Sequence, residues 1–316
     1  MDQKPYVPIA ILVTVVALAS LFVPRFATPL NIGNVLVQSV PLMFVATGQT
    51  LVLLSGGMDL SVGEVVTLCT IIASSIMQPG PAGIALGVAA CLLASSLVGA
   101  ANGIGSSRLG LPPFLVTLGM MFALQGVNLF LRPTPGGSIP RAFRQIAQLQ
   151  IGVVPVAALV TLLIVGAVAV HVRRSRFGLR LFAVGGDERR AHLAGISPHG
   201  VKISAYVACA LLAALAGLFL AARTGSGDRF IGSSYGFDSI TAAVMGGTSL
   251  SGGKGNLWGS VASALLLGVI SNLLNLLHVV AYWQWIVKGM LLIVAVTMYT
   301  LGEVRGHGRP RSIPTD

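Results

Sequence analysis

The sequence has very little charge for its length. Only 9% of its 316 residues are Asp, Glu, Lys or Arg, whereas 54% are hydrophobic. A soluble globular domain carries about 25% charged residues, and disordered chains are far less apolar than this one. The scarcity of charged residues therefore excludes both classes and predicts an integral membrane protein.

The sequence also lacks the residue patterns of the common catalytic and metal sites. Its three cysteines lie in apolar runs without metal-ligand or disulfide spacing, and its five histidines form no H-E-x-x-H motif. No G-x-S-x-G nucleophile motif is present. Gly252, Gly253 and Lys254 resemble the end of a P-loop, but Gly255 stands where that motif needs Ser or Thr. We therefore expect this chain to bind no metal and to hydrolyse no nucleotide by itself.

What the sequence does contain is a series of ten apolar segments. A bilayer core needs about 20 mostly apolar residues per helix. The segments are Val7–Val23, Val35–Leu54, Ser61–Met77, Ala82–Ala101, Pro113–Leu131, Ile151–Val170, Val201–Ala222, Phe237–Leu250, Leu257–Leu277 and Ala281–Leu301. The third and eighth are short and flanked by glycine, so each is a candidate for a broken or re-entrant segment. The expected fold is all-α and polytopic, with about ten transmembrane helices in one domain over residues 1–316.

Basic residues are distributed unevenly between the two sides that ten spans define. With the N-terminus inside, thirteen of the 20 lysines and arginines lie on the inner side, six on the outer side and one within a span. Cytoplasmic segments of membrane proteins carry an excess of Lys and Arg. Both termini are therefore predicted to be cytoplasmic, as are the basic tail 303–316 and the long loop 171–200.

The loop 171–200 contains the signals of a short helix outside the membrane. The glycine pair 185–186 is expected to break the chain, Asp187 is a favourable N-cap, and Glu188 suits the positive end of a helix dipole. About two helical turns fit before Gly195 ends them. A helix this short is poorly stable alone. It is interpreted either as a connector on the lipid headgroups or as a docking helix for a cytoplasmic partner.

Two glycine-rich stretches resemble each other. Residues 56–63 are GGMDLSVG and residues 246–253 are GGTSLSGG. We interpret them as a short internal structural repeat that provides irregular backbone or close helix contact at membrane depth. Backbone polar groups at that depth must be satisfied by protein or water. Gly99 and Gly103 add a small-x-x-x-small spacing that permits close helix approach. The residues assigned to this repeated structural or gating motif are Gly57, Asp59, Ser61, Gly63, Gly246, Gly247, Gly252 and Gly253.

Two acidic residues lie at the start of the third apolar segment. Ser61 and Glu64 have the S-x-x-E spacing of a capping box, which would account for Glu64. Asp59 has no such explanation, and it could bind a cation or a proton or pair with Arg108. Acids within membrane segments are typical of ion-coupled secondary transporters. Such a transporter, with Asp59 and Glu64 as its ion site, is the alternative function.

Uncharged polar residues recur on two of the predicted spans. Gln125 and Asn128 share a face of the fifth span, and Asn272 and Asn275 share a face of the ninth. These side chains are candidates to line a translocation path for a neutral, hydroxyl-rich solute. Hydrogen bonding between helices explains them equally well.

Three long motifs carry a resemblance to a known family. They are GQTLVLLSGGMDLSVGE from Gly48, FAVGGDERRAHLAGI from Phe182 and MGGTSLSGGKG from Met245. They resemble the permease subunits of ABC sugar importers, in the branch that includes ribose, xylose, arabinose and galactose importers. The sequence departs from the family pattern at His278, where Gly is usual, and at Phe237, where Glu is usual.

The resemblance implies a permease of the bacterial inner membrane, without enzymatic activity or a cofactor of its own. Its implied partners are cytoplasmic ATPase subunits that bind ATP and Mg, a periplasmic sugar-binding protein, and a second permease copy or paralogue, but no nucleic acid. The implied substrate is a monosaccharide or a related small polyol. The resemblance also implies that the short cytoplasmic helix is the coupling helix that inserts into the ATPase. Its residues are Gly186, Asp187, Glu188, Arg189, Arg190, His192, Leu193 and Gly195.

The outer loops contain many arginines for translocated segments. Arg141 and Arg144 are predicted to pair with acidic lobes of the binding protein and to steer its docking. Solubility of the loop is the alternative explanation.

Overall fold

The computed structural model describes residues 6–307, which are almost entirely helical. Within this range there are thirteen α-helices and one small hairpin. The elements are α1 (Tyr6–Phe22), α2 (Pro29–Leu54), α3 (Val62–Ile76), α4 (Pro81–Ser107), α5 (Pro113–Leu131), α6 (Arg141–Gln148), β1 (Gln150–Ile151), β2 (Val154–Pro155), α7 (Val156–Arg174), α8 (Arg176–Gly186), α9 (Glu188–Leu193), α10 (Pro198–Thr224), α11 (Tyr235–Met245), α12 (Leu257–Leu276) and α13 (Ala281–His307). The predicted all-α class is confirmed. Most of the predicted basic tail, residues 308–316, lies outside the described range.

Each of the ten predicted apolar segments overlaps one helix. Six helices, α2, α4, α5, α7, α10 and α12, are long and apolar enough to cross a membrane, and α1, α3 and α13 contribute shorter apolar stretches. The eighth segment, predicted to continue to Leu250, is helical only to Met245. Glycines follow it, and Gly247 has a φ of +87°. A helix of 11 residues rises about 16 Å, so α11 cannot cross a hydrocarbon core of about 30 Å alone.

α10 lies at the centre of the molecule, where it packs against α2, α3 and α4. Two glycines of α4 make its contact with α10 very close. A Cβ added to Gly103 would lie 2.6 Å from the Cα of Ile203, and one added to Gly99 would lie 2.7 Å from the carbonyl oxygen of Tyr206. The small-x-x-x-small spacing therefore does bring two helices together, as the sequence predicts.

The loop 171–200 contains two helices rather than one. Gly185 and Gly186 form the last turn of α8, so the prediction that this pair breaks the chain is wrong. The break falls one residue later, at Asp187, which has an extended backbone with φ −164° and ψ 106°. Gly185 instead allows a close tertiary contact, because a Cβ added to it would collide with the backbone of Leu54 and Gly253.

The segment between α5 and α7 is also folded, although its sequence predicts only a loop. It contains α6 and the antiparallel hairpin of β1 and β2. α6 is amphipathic, because Phe143 and Ala147 are buried while Arg141 and Arg144 are exposed. It packs against α10 and α7 through its apolar face. The two arginines are therefore presented on a helix that the body of the protein holds in place.

Candidate functional site

α9 is a short helix with both ends capped. The Asp187 side chain accepts a hydrogen bond from the Arg190 N–H at 2.9 Å and also pairs with the Arg190 guanidinium at 2.8 Å. At the other end, Gly195 has a φ of +78°, and its N–H donates to the carbonyl of His192 at 2.9 Å. The N-cap and the C-terminal glycine predicted from sequence are confirmed.

One side of α9 is anchored and the rest is exposed. Ala191 is buried, and Glu188 forms an ion pair with Lys202 of α10. Because Lys202 is itself buried, this pair fixes the start of α9 against α10. Leu193, by contrast, is 79% exposed. Arg189, Arg190 and His192 are exposed around this leucine. The helix thus presents an apolar tip within a basic surface.

The chain just before α9 touches two other segments through backbone atoms alone. A Cβ added to Gly185 would lie 1.8 Å from the carbonyl oxygen of Leu54 and 2.6 Å from the amide nitrogen of Gly253. One added to Gly252 would lie 2.6 Å from the Gly185 carbonyl oxygen and 2.8 Å from the Cα of Gly56. The Gly253 N–H donates to the Leu54 carbonyl at 3.1 Å. We call Gly56, Gly185, Gly252 and Gly253 the glycine junction.

The glycine junction joins the two glycine-rich stretches that resemble each other in sequence. Gly252 and Gly253 end one stretch, and Gly56 begins the other, just after the end of α2. All three have positive φ, between 69° and 86°, a conformation that glycine adopts without strain. The sequence does not predict that Gly185 takes part in the junction, where it links both stretches to the chain leading into α9.

The remaining motif glycines lie in separate close contacts. A Cβ on Gly57 would lie 2.7 Å from the hydroxyl of Tyr206, and one on Gly63 would lie 2.5 Å from the carbonyl oxygen of Gly232. Gly246, at the end of α11, lies against the backbone at the start of α12, where a Cβ would be 2.3 Å from the Ser260 nitrogen. The motif therefore serves several backbone approaches rather than one cavity.

Asp59 closes the loop between α2 and α3. It accepts hydrogen bonds from the Ser61 N–H at 2.8 Å and the Ser61 hydroxyl at 2.7 Å, and Asn102 of α4 lies 3.4 Å from both carboxylate oxygens. All three side chains are buried. The predicted pairing of Asp59 with Arg108 is wrong, because the ion pairs among the described residues do not include either of them.

Glu64 is not part of a capping box, so that prediction is wrong too. Ser61 makes no side-chain cap to α3, because its hydroxyl is used by Asp59. The Glu64 carboxylate instead accepts hydrogen bonds from Asn128 at 2.9 Å and from Gln125 at 3.3 Å, both on α5. The two predicted path residues of the fifth span are thus brought together around a buried carboxylate.

The two predicted path residues of the ninth span have other partners. Asn272 is buried and exchanges two amide hydrogen bonds with Asn31 of α2, at 2.9 and 3.0 Å. Asn275 is exposed and accepts a hydrogen bond from Gln284 of α13 at 2.9 Å. The first pair connects two helices that are distant in sequence, and the second connects two consecutive helices. Neither Asn272 nor Asn275 meets Gln125 or Asn128 in any hydrogen bond that the described residues make.

A charged pair between α11 and α13 was not predicted. Lys288 donates to Asp238 at 2.7 Å, and both side chains are largely buried. The sequence places Lys288 within a span and Asp238 at the start of another, but nothing in their spacing indicates that they meet. Arg144 of α6 lies against Gly225, at the end of α10.

Comparison with known proteins identifies the family. The family model described as branched-chain amino acid transport system / permease component matches residues 31–296. The ribose import permease protein RbsC of Escherichia coli (strain K12) is 36% identical over 303 residues, which are 94% of this chain and 92% of that protein. The chain belongs to this permease family.

Other members are similar over most of their length. The probable ABC transporter permease protein YphD of the same Escherichia coli strain is 35% identical over 88% of this permease and 83% of its own chain. The galactose/methyl galactoside import permease protein MglC of Salmonella typhimurium (strain LT2) is 31% identical over 89% of this permease and 90% of its own chain. No solved structure matches. This permease is therefore a multi-pass inner-membrane subunit of an ABC importer, and it is a transport subunit rather than an enzyme.

The paired amides of α2 and α12 give a first prediction. Replacing Asn31 or Asn272 with Ala leaves the other amide buried without its partner. The loss of stability in the double variant should therefore be smaller than the sum of the losses in the two single variants. In a double-mutant cycle on the purified protein in detergent, we expect a coupling energy of about 0.5–2 kcal/mol. The free energies would be measured by reversible unfolding in a denaturing detergent. Additive single-variant effects would show that the pair contributes nothing.

Proposed function

We propose that this permease carries a monosaccharide or a related small polyol into the cell, driven by partner ATPases. The relatives named as ribose and galactose/methyl galactoside importers support this substrate class, because they match nearly the whole chain. The amides and the carboxylate gathered around Glu64 support it chemically, since such groups exchange hydrogen bonds with sugar hydroxyls. On this proposal about ten segments cross the membrane, with α11 crossing only in part and both termini in the cytoplasm.

The proposed partners are a pair of cytoplasmic ATPases that bind ATP and Mg, a periplasmic sugar-binding protein, and a second permease, identical or paralogous. α9 is the proposed coupling helix. Its exposed Leu193, surrounded by basic side chains, suits insertion into a groove of the ATPase. The pair of Glu188 with Lys202 prevents α9 from sliding freely over α10 when the ATPase moves it.

The glycine junction is the observation that carries the proposal. Gly185 lies within one helical turn of the start of α9 and contacts the backbone of Leu54 and Gly253 directly. A displacement of α9 by the ATPase would therefore be transmitted to these two residues. Backbone contacts cannot yield by changing rotamers, as side-chain contacts can. The displacement therefore passes to the end of α2 and to the loop between α11 and α12 together. The end of α2 leads into the turn that contains Asp59, and the loop directly follows α11, which contains Asp238.

The proposed translocation path uses the polar residues of α5. Gln125 is exposed on that helix, and Asn128 and Glu64 are buried behind it. The Asn128 Oδ1 is buried and makes no hydrogen bond with a described residue, so a solute hydroxyl could donate to it only after a movement of α5 exposes it. Asn272 and Asn275 also remain candidates, but Asn272 already has both of its amide groups engaged by Asn31.

The ion-coupled alternative receives no support. Asp59 and Glu64 each accept hydrogen bonds from neutral donors of the protein itself. Neither forms part of a cluster of His, Cys, Asp and Glu that could hold a metal ion among the described residues. The family membership assigns the energy source to an ATPase instead.

Reconstitution tests the proposed function directly. The permease would be assembled in proteoliposomes with its ATPase and its binding protein, and pentoses, hexoses and small polyols would be scanned for stimulated ATP hydrolysis. We expect stimulation by a sugar or polyol and none by amino acids, with uptake that is unchanged when ion gradients are collapsed. Stimulation by amino acids alone, or uptake that needs an ion gradient and no ATP, would contradict the proposal.

Two adjacent glycines allow a matched test of coupling. Gly185→Ala places a methyl group against the Leu54 carbonyl, whereas Gly186→Ala meets nothing within 4 Å. We expect Gly185→Ala to lower ATP-driven uptake about tenfold or more, while the unstimulated ATPase activity of the assembled complex persists. Gly186→Ala should transport like the unmodified protein. Thermal unfolding of both variants separates a loss of coupling from a loss of folding, and equal transport by both would contradict the role of the junction.

The arginines of α6 give a test of binding-protein docking. The double variant Arg141→Glu/Arg144→Glu reverses charge on a helix that is held by Phe143 and Ala147, so the fold should tolerate it. We expect stimulation of ATP hydrolysis by the loaded binding protein to fall about tenfold or more, with the loss largest at low salt. Arg25→Glu, in the turn between α1 and α2, is the control. Unchanged stimulation in the double variant would mean that these arginines serve only the solubility of the loop.

A further inference from the structure

Four helices surround an apolar crevice that the transport mechanism does not use. Its volume is about 600 Å³, and it lies between α2, α7, α8 and α10. The lining includes Leu51, Val168, Phe177, Ala208 and Leu212, which are contributed by all four helices. A space of this size is too small for another transmembrane helix, which is about 10 Å across. It is large enough for a hydrocarbon chain.

The crevice lies beside the membrane-facing side of α7. Leu163 of that helix is 73% exposed and Val170 is 53% exposed. Exposed leucine and valine on a helix of this hydropathy are covered by lipid in a membrane. Hydrocarbon chains therefore lie against the exposed side of the helix that forms one wall of the crevice.

A tight turn between α7 and α8 lies at one end of the crevice, and we call residues 173–176 of this turn the basic corner. α7 turns into α8 so tightly that a Cβ on Gly178 would lie 1.7 Å from the carbonyl oxygen of Val172, and Ser175 caps α8 at 3.3 Å from the Gly178 nitrogen. The rings of His171 and Phe177, which line the crevice, stack across this corner with centroids 5.9 Å apart. The turn between α7 and α8 is thus held by the close contact of Gly178 with Val172 and by the stacked rings of His171 and Phe177.

Three arginines project from this corner without an ionic partner among residues 6–307, which the structure describes. They are Arg173, Arg174 and Arg176, and all three are exposed. None of them takes part in an ion pair with another described residue. A guanidinium group binds phosphate through two parallel hydrogen bonds, which makes arginine well suited to a phosphodiester.

We propose that this corner and the crevice together bind one anionic phospholipid. An acyl chain occupies the crevice between α7 and α10, and the phosphodiester is held by Arg173, Arg174 and Arg176. The apolar lining selects a lipid over free phosphate, and the three positive charges select an anionic lipid over a zwitterionic one. The site is separate from the proposed ATPase contact, because α8, with 11 residues and a length of about 16 Å, lies between this corner and α9. A bound lipid would brace the end of α8 opposite to the glycine junction.

The test is a lipid titration of the delipidated full-length chain in detergent, followed by native mass spectrometry. The probes are phosphatidylglycerol and phosphatidylcholine with the same acyl chains, and glycerol 3-phosphate as a headgroup without acyl chains. We expect one tightly held phosphatidylglycerol per chain, at least about tenfold preferred over phosphatidylcholine, and no retained glycerol 3-phosphate. Equal binding of the two lipids would overturn the proposal.

Two kinds of variant separate the headgroup site from the crevice. Arg173→Gln/Arg174→Gln/Arg176→Gln should lower the affinity for phosphatidylglycerol about tenfold or more, whereas Arg108→Gln/Arg189→Gln/Arg190→Gln, with the same loss of charge elsewhere, should not. Ala208→Phe fills the crevice and should displace the lipid, while Ala85→Phe, on the exposed side of α4, should leave it bound. If the first triple variant binds lipid like the second, or if Ala208→Phe folds and retains full binding, the proposal fails.

Discussion

Three segments of backbone touch at the glycine junction because no side chain separates them. The end of α2, the end of α8 and the loop after α11 are brought within hydrogen-bonding distance there, as the bond from the Gly253 N–H to the Leu54 carbonyl shows. A single methyl group at Gly185 would fill the space that this arrangement needs. These backbone contacts therefore help to fix the position of α9 relative to the membrane-spanning helices. They require glycine because a Cβ atom at these positions would collide with the neighbouring backbone.

Several buried polar side chains of this apolar protein satisfy one another in pairs or small groups. Asp59 takes its hydrogen bonds from Ser61 and Asn102, and Glu64 takes its own from α5. The Asn31–Asn272 pair and the Lys288–Asp238 pair do the same between other helices. Such pairs are needed because lipid offers no hydrogen bonds. They also link different helices to one another, as the hydrogen bond between the Thr50 and Ser260 hydroxyls does for α2 and α12.

Much of the fold could be predicted from the sequence, because the signals concerned are local. The length of the apolar runs predicts the long helices, and the Asp187 cap with Gly195 predicts α9. α6 and α8 were missed because short amphipathic helices rich in arginine leave no long apolar run. The glycine pair 185–186 was misinterpreted as a break, since a glycine that permits a close approach looks the same in sequence as one that permits a turn.

The partners of the site residues were beyond what spacing can predict. Ser61 and Glu64 have the spacing of a capping box, but their hydrogen bonds go to Asp59 and to α5, because tertiary contacts offered better partners than the local backbone. The likeness between residues 56–63 and 246–253 does indicate a shared role, and the two stretches meet. That Gly185 joins them could only be learned from the three-dimensional arrangement.

The central claim is that α9 and the two glycine-rich stretches move as one body. Spin labels at Ala194→Cys at the end of α9 and Lys254→Cys in the loop after α11 would report on it, since both positions are exposed and the three native cysteines are buried. Their separation would be measured by pulsed electron resonance in the assembled importer, without nucleotide and with ATP trapped. The account predicts one unchanged distance distribution in both states, while a pair from Ala194→Cys to Gln145→Cys on α6 shifts. A change in the distance from α9 to the loop between the two states would contradict it.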